Sequence, residues 1–408
     1  MEFHYHTLAN GLRIVHFPIV SAIAHCGIIV NIGSRDEEEE EHGMAHFIEH
    51  AIFKGTKRRK PYHIISRLED VGGDLNAYTT KEETAVHASF LKEYYPRAME
   101  LMSDIIFNSV FPEKELEKEK EIIIDEINSY LDSPAEAIFD DFEEMIYRGN
   151  AIGRNILGTP AHLKSFTRED ILKFMKKNYH PSQMVFCSAG DIPFNKLVKL
   201  AETYFSQKSP INTVQKRKNN FRYKAQVMRL EKTTFQAHCI IGNMAYGLKD
   251  NRRVALYLLS NILGGPGMNS RLNLSLREKS GYSYNIESLY TPYTDSGSLS
   301  IYFGTDTQNI ERSLDLVHKE FNKIRFNKLG SLQLSRAKKQ FIGQLAIAAE
   351  NNEGMMLSAG KSMMVYNKVD EPEKMYSKIN KLSTSEIIEV ANEILAPENL
   401  SLLIYQPK

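Results

Sequence analysis

The sequence has few cysteines, no net charge and no long apolar run, and each of these absences excludes a class of protein. The three cysteines, Cys26, Cys187 and Cys239, lie far apart in apolar segments, which indicates core residues in a reducing compartment. Basic and acidic residues balance at 51 each, so no overall field favours nucleic acid or an anionic membrane. No apolar run reaches the roughly 18 residues of a membrane-spanning helix.

The first residues also lack the cationic and apolar segments of a signal peptide. We therefore expect a cytoplasmic protein that binds neither nucleic acid nor membrane, although a leader removed earlier would not be visible. The length of 408 residues, 42% of them hydrophobic, is typical of a globular protein with two or more domains. Polar and basic residues from Ser206 to Asn220 predict a linker. We expect a first domain at 1–206, a linker at 207–221 and a second domain at 222–408.

The most informative stretch is His46-Phe47-Ile48-Glu49-His50. Apolar residues recur around it at helical spacing, so both imidazoles and the Glu49 carboxylate project from one side of a helix. Two neutral imidazoles suit zinc, which in a catalytic site takes three protein ligands and leaves the fourth position to water. The order H-x-x-E-H is the inverzincin signature, although the pattern alone also fits two histidines that merely pack or face solvent. A zinc site needs a third protein ligand from elsewhere.

Acidic residues flank this helix and also occur on a later one. Five consecutive glutamates, Glu37 to Glu41, precede the motif, and we expect a solvated helix start that complements the helix dipole and favours basic peptide segments. A long charged helix is predicted from Glu113 to about Asp132. On it, Glu126 lies among isoleucines, and a carboxylate beside such an apolar surface favours a cation as its partner.

These features resemble the pitrilysin, insulin-degrading enzyme and mitochondrial processing peptidase family of metallopeptidases. In that family the H-x-x-E-H motif is followed, about as far along as the 76 positions between His50 and Glu126, by a glutamate-rich helix with the third ligand. The resemblance implies His46, His50 and Glu126 as ligands of one Zn²⁺ per chain, Glu49 as general base on zinc-bound water, and Glu119 as a supporting carboxylate. Four other segments match the family: Gly33-Ser34-Arg35, Phe53-Lys54-Gly55-Thr56, Asn76-Ala77-Tyr78-Thr79 and Leu157-Gly158-Thr159.

The segments 74–80 and 84–90 have the composition of paired strands. A strand beside the metal can take up a peptide as an additional strand. We therefore expect Asn76, Ala77 and Tyr78 to bind the substrate backbone, with loose side-chain specificity.

The order of elements in the first half recurs beyond the linker, which predicts two copies of one α+β unit. The helix from Val254 to Leu263 takes the place of the metal helix but has no histidine. The second copy instead contains Arg277 and Tyr284, which resemble the family's Arg and Tyr that contact the substrate carbonyl. Tyr282 replaces the family's small apolar residue, so either Tyr282 or Tyr284 is a candidate for the hydroxyl that faces the cleft.

We interpret the protein as a zinc-dependent endopeptidase of short or unfolded peptides. The expected fold class is α+β, with two homologous domains, each a mainly antiparallel sheet covered by helices, that form half of a clamshell chamber. The resemblance implies a homodimer in which the partner's second domain completes each site. One alternative is a non-catalytic chain, either a subunit of a respiratory-type core complex or the inactive partner subunit of a processing peptidase. The other is a catalytic chain that forms one half of a heterodimeric processing peptidase.

Overall fold

The computed structural model describes residues 2–206, residue 217 and residues 222–408. The predicted linker at 207–221 therefore lies outside the described residues, apart from Arg217. The strands and helices of the first half are β1 (His4–Thr7), β2 (Arg13–Pro18), β3 (Ile23–Val30), α1 (Met44–Ala51), α2 (Pro61–Glu69), β4 (Asp74–Thr79), β5 (Thr84–Leu91), α3 (Tyr95–Phe107), α4 (Glu113–Leu131), α5 (Pro134–Ile146), α6 (Pro160–Ser165), α7 (Arg168–Asn178), β6 (Met184–Gly190) and α8 (Phe194–Phe205).

The second half repeats this order, as the sequence predicts, but its described elements include no counterpart of β1 or α8. A further difference is that a π-helix, Asn273–Lys279, stands where the first half has α2. The remaining elements are β7 (Val227–Lys232), β8 (Ala237–Ala245), α9 (Arg253–Gly264), β9 (Ile286–Pro292), β10 (Gly297–Thr305), α10 (Ile310–Phe326), α11 (Ser331–Ala348), α12 (Asn352–Tyr366), α13 (Pro372–Lys381), α14 (Thr384–Ile394) and β11 (Ser401–Pro407).

Two sheets with matching topology confirm the predicted α+β class. The first has the strand order β1-β2-β6-β3-β5-β4 and the second β7-β11-β8-β10-β9. One parallel pair occurs in each, β2 with β6 and β7 with β11, and the other pairs are antiparallel. The strand β4 lies at one edge of the first sheet, so one side of its backbone is unpaired within the sheet.

The helices α7 and α14 begin in the same way, which is local support for the repeat. Thr167 caps α7 and accepts the backbone N–H of Asp170, while the Asp170 side chain accepts the N–H of Thr167. Ser383 and Glu386 form the same reciprocal capping box at α14. Such boxes satisfy N–H groups that a helix start leaves unpaired.

Each half contributes one helix to the unit built mainly from the other half. The first compact unit comprises Met1–Asn128, Arg154–Lys218 and Ile347–Glu371, which include α12, and the second comprises the remaining segments, which include α5. The bounds 1–206 and 222–408 of the two homologous domains stay a prediction from the sequence. Among the helices that the structure describes, none combines the length and apolarity needed to span a bilayer.

The first sheet is covered on both faces. One face packs with α1 and α3 around a core that includes Ile28, Phe47 and Met102. The other face, with Val15 and Ile29, packs against Met356 and Met363 of α12. The helix α1, which carries the H-x-x-E-H motif, therefore packs on the core that includes Phe47 and also contacts the edge strand β4.

Candidate metal and catalytic site

The helix α1 that carries the H-x-x-E-H motif begins at a tight backbone turn. Gly43, its N-cap, has a φ of 95°, and a Cβ on this residue would lie 2.8 Å from the Cα of Gly158. A side chain at either glycine would push the two segments apart. The two glycines therefore allow the segment Leu157-Gly158-Thr159 to lie directly against the start of α1.

Glu37 is buried at the first turn of α1. The sequence predicts a solvated run from Glu37 to Glu41, and this prediction is wrong for Glu37, which is only 4% exposed. Its carboxylate accepts the backbone N–H groups of Gly43 at 2.9 Å and Ala45 at 2.8 Å. Burial raises the pKa of Glu37 to about 8, although these two hydrogen bonds by themselves lower it. Glu38, Glu39 and Glu40 are exposed, as predicted.

The three predicted metal ligands converge. Nε2 of His46 lies 3.8 Å from Oε2 of Glu126, and Nε2 of His50 lies 3.6 Å from the same oxygen. One ligand atom from each residue lies within 4.8 Å of those of the other two. Within the residues that the structure describes, this is the one group of three or more His, Cys, Asp or Glu side chains arranged in this way.

The donor set fits a zinc ion. Burial, and secondly the neighbouring His50, lowers the pKa of His46 to about 3, so this imidazole is neutral near pH 7 and offers a lone pair. Burial favours a lower pKa for His50, but the nearby carboxylates of Glu119, Glu49 and Glu126 outweigh burial. The pKa of His50 is therefore raised. Two imidazole nitrogens and one carboxylate oxygen are ligands that zinc prefers, with one position left open.

Glu49 lies on α1, close to Thr79 of β4. Burial, and to a lesser extent Glu126, raises the pKa of Glu49, whereas the Thr79 hydroxyl and His50 oppose this rise. A partly buried carboxylate with a raised pKa is suited to accept and release a proton near neutral pH. Thr79 was not identified from the sequence as part of the site, although it lies two residues beyond Ala77 and therefore on the same face of β4.

Glu119 lies behind His50. Its Oε2 lies 3.3 Å from Nδ1 of His50, and its Oε1 lies 2.8 Å from Nζ of Lys54. The supporting position that the resemblance implied for Glu119 therefore agrees with this geometry. Lys54 was not identified from the sequence as part of the site, and the signal available was its spacing of four residues from His50.

The predicted substrate residues of β4 alternate between two faces of the sheet. Ala77 packs with the core that contains α1, whereas Tyr78 packs with the core on the face covered by α12. The Tyr78 hydroxyl donates to Glu83 at 3.3 Å, and the exposed Asn76 donates to Asp74 at 2.7 Å. Of the three side chains, Ala77 therefore lies on the face of the metal helix.

Arg277 and Tyr284 belong to the second compact unit. Arg277 lies in the π-helix, and its Nε is 3.7 Å from the Glu278 carboxylate. Tyr282 and Tyr284 both precede β9, which begins only at Ile286. The Tyr284 side chain is 81% exposed, while Tyr282 is half-buried.

The chain is similar to known zinc proteases, in agreement with its H-x-x-E-H motif. A family model described as insulinase (peptidase family M16) matches residues 19–160, and one described as the peptidase M16 inactive domain matches residues 165–341. An uncharacterized zinc protease of Rickettsia felis is 32% identical over 408 residues, which span 99% of this chain and 97% of that protein.

Two further matches extend the comparison. The β subunit of the mitochondrial processing peptidase of Saccharomyces cerevisiae is 30% identical over 413 residues, which span 97% of this chain and 89% of that protein. A protease from Helicobacter pylori matches in structure with a TM-score of 0.90 and 21% identity, and the match covers 100% of this chain and 99% of that one. The structural match supports the fold.

Proposed function

Because the chain belongs to the insulinase family of peptidases, peptidase family M16, we propose that it is a zinc-dependent endopeptidase that hydrolyses short or unfolded peptides. The observation that carries this proposal is the convergence of His46, His50 and Glu126, with Glu49 on the same helix as the two histidines. A non-catalytic chain has no need of this combination, since each of the four side chains serves either metal binding or proton transfer.

In this proposal His46, His50 and Glu126 hold one Zn²⁺ per chain. When bound, the ion polarises the scissile carbonyl and activates water. Glu49 receives the proton of the attacking water and then passes it to the leaving amine, and its raised pKa suits both steps. Arg277, together with Tyr284 or Tyr282, would stabilise the negative charge that develops on the carbonyl oxygen.

The edge strand β4 is the proposed peptide-binding element. Its unpaired edge offers backbone N–H and C=O groups to an extended peptide, and it packs against α1. Since Ala77 is small and Asn76 and Tyr78 lie on the opposite face, we expect recognition through the backbone and weak preference for side chains. Asn76 and Tyr78 then act mainly through their main-chain groups.

We further propose a homodimer in which two chains enclose a chamber and each site uses the partner's second domain. A second candidate is one subunit of a heterodimer, and the observation that favours it is the likeness to the β subunit of a mitochondrial processing peptidase. Light scattering of the pure chain distinguishes a dimer of about twice 46.7 kDa from a monomer that awaits another subunit.

The central test is metal content combined with peptide cleavage. Purified protein should contain one zinc per chain and cleave a quenched fluorescent peptide. A chelator should abolish cleavage, and zinc added to the dialysed protein should restore it. Protein that binds no zinc, or cleavage that survives complete removal of metal, would refute the proposal.

A further inference from the structure

We propose that Lys54 is a positioning residue of the metal centre, which acts on His50 through Glu119. This inference rests on the proposed zinc site. It assigns to Lys54 the task of holding the Glu119 carboxylate in the one orientation that fixes the His50 ring.

The two oxygens of Glu119 have separate partners. Oε1 lies 2.8 Å from the Lys54 ammonium, and Oε2 lies 3.3 Å from Nδ1 of His50. Because Nδ1 of His50 is engaged on this side, its Nε2 is the nitrogen that faces Glu126, at 3.6 Å. A carboxylate behind a ligating histidine selects the tautomer and orients the ring in this way.

Spacing along two segments produces this arrangement. Lys54, His50 and His46 follow one another at intervals of four residues, about one helical turn each, while Glu119 and Glu126 are seven residues or about two turns apart on α4. The side chains therefore alternate in one row, from Lys54 through Glu119, His50 and Glu126 to His46. A change at one end of such a row is transmitted by direct contacts.

The backbone on both sides of Lys54 is hydrogen-bonded to the segment that leads into α4. A 3₁₀ turn, Ile52–Lys54, continues α1, and the Ser109 hydroxyl donates to the carbonyl of Ile52 at 3.1 Å. The N–H of Val110 donates to the carbonyl of Gly55, also at 3.1 Å. These hydrogen bonds locate the backbone on either side of Lys54, and from there the side chain extends to Glu119.

Burial makes the contact important for orientation. The Glu119 side chain is 4% exposed, so water is a poor substitute partner for Oε1 if the ammonium is removed. The carboxylate is then expected to rotate toward other donors, and His50 loses its fixed ring orientation. Partners behind metal-ligating histidines typically change metal affinity by about 10–100-fold when they are removed.

The test is the zinc affinity of Lys54→Met, measured by competition with a fluorescent chelator. We expect affinity to fall by about tenfold or more, and Lys54→Arg, which keeps the charge and a donor, to stay within about threefold of wild type. Lys57→Met, at an exposed lysine three residues further along, is the matched control and should not change zinc affinity. If Lys54→Met does not fold by circular dichroism, Lys54→Gln takes its place.

A double-mutant cycle separates this role from general destabilisation. If Lys54 acts through Glu119, then Lys54→Met should cause little further loss of zinc affinity in the Glu119→Gln background. The inference is wrong if Lys54→Met lowers zinc affinity equally in both backgrounds, or if Lys54→Met alone leaves zinc affinity unchanged. In either case, zinc binding by the wild-type chain leaves the proposed function intact. A wild-type chain without stoichiometric zinc would refute the proposed function itself.

Discussion

Nδ1 of His50 lies 3.3 Å from Oε2 of Glu119, although the two residues are 69 positions apart in the chain. This contact joins α1, which carries the two histidines, to α4, which carries Glu119 and Glu126, and it engages the His50 nitrogen that does not face Glu126. The orientation of the His50 ring therefore depends on α4. The candidate metal centre is therefore a property of the packed pair α1 and α4 rather than of the motif alone.

Replacement of Glu49 by glutamine should separate metal binding from catalysis. Glutamine has nearly the same shape but cannot accept the proton of the attacking water, so we expect unchanged zinc content and a loss of peptide cleavage of about 10²–10⁴-fold. Atomic absorption measures the zinc content, and a quenched fluorescent peptide measures the rate of cleavage. Glu39→Gln, at an exposed glutamate before the same helix, is the control. Full activity in Glu49→Gln would rule out this residue as the base.

Mixing two inactive variants tests the proposed sharing of the site. Chains with Glu49→Gln and chains with Arg277→Ala should each be inactive, but a mixed dimer contains one site with both residues intact. After random exchange of an equal mixture we expect about a quarter of wild-type activity. Native mass spectrometry of isotopically labelled chains establishes whether exchange occurred. Exchange without recovered activity would favour a site contained in one chain.

The first turn of α1 should depend on Glu37. Alanine at this position leaves the N–H groups of Gly43 and Ala45 without their acceptor, which costs about 1–3 kcal/mol of unfolding free energy. Glu37→Gln keeps one acceptor oxygen and should lose less. Urea denaturation measures the free energy of unfolding of both variants. Glu39→Ala, at an exposed position, should change this free energy little. Equal stabilities of Glu37→Ala and Glu39→Ala would contradict this role.

His16 should make the protein less stable as the pH falls. Burial, and secondly the neighbouring His4, lowers the pKa of His16 from 6.5 to about 4. Between these values the unfolded chain binds a proton that the folded chain does not, so the free energy of unfolding decreases with decreasing pH. At pH 5 this linkage amounts to about 2 kcal/mol relative to neutral pH.

Urea denaturation of metal-free protein at pH 7 and pH 5 measures this loss of stability. His16→Gln should remove the His16 contribution, whereas His63→Gln, at an exposed histidine, should leave the decrease as in wild type. A pH dependence that is the same in His16→Gln and wild type would show that other groups cause it.

Local sequence patterns determined much of the fold and part of the site. The spacing of His46, Glu49 and His50 placed three functional groups on one helix, because helical geometry brings such residues to one side. The Thr167 cap was also predictable, since a cap and its partner are only three residues apart. The repeat was visible because both halves place strands, turns and helices in the same order.

The tertiary structure alone decided which side chains meet across the chain. Glu37 resembles its exposed neighbours in sequence, and only the backbone turn at Gly43 places its carboxylate under the first turn of α1. Lys54 resembles any basic residue after a helix until α4 brings Glu119 to it. The exchange of α5 and α12 between the units likewise leaves no local signal. The physical reason is that periodicity and capping act within a few residues, whereas packing and ion pairing depend on distances between segments that are remote in the chain.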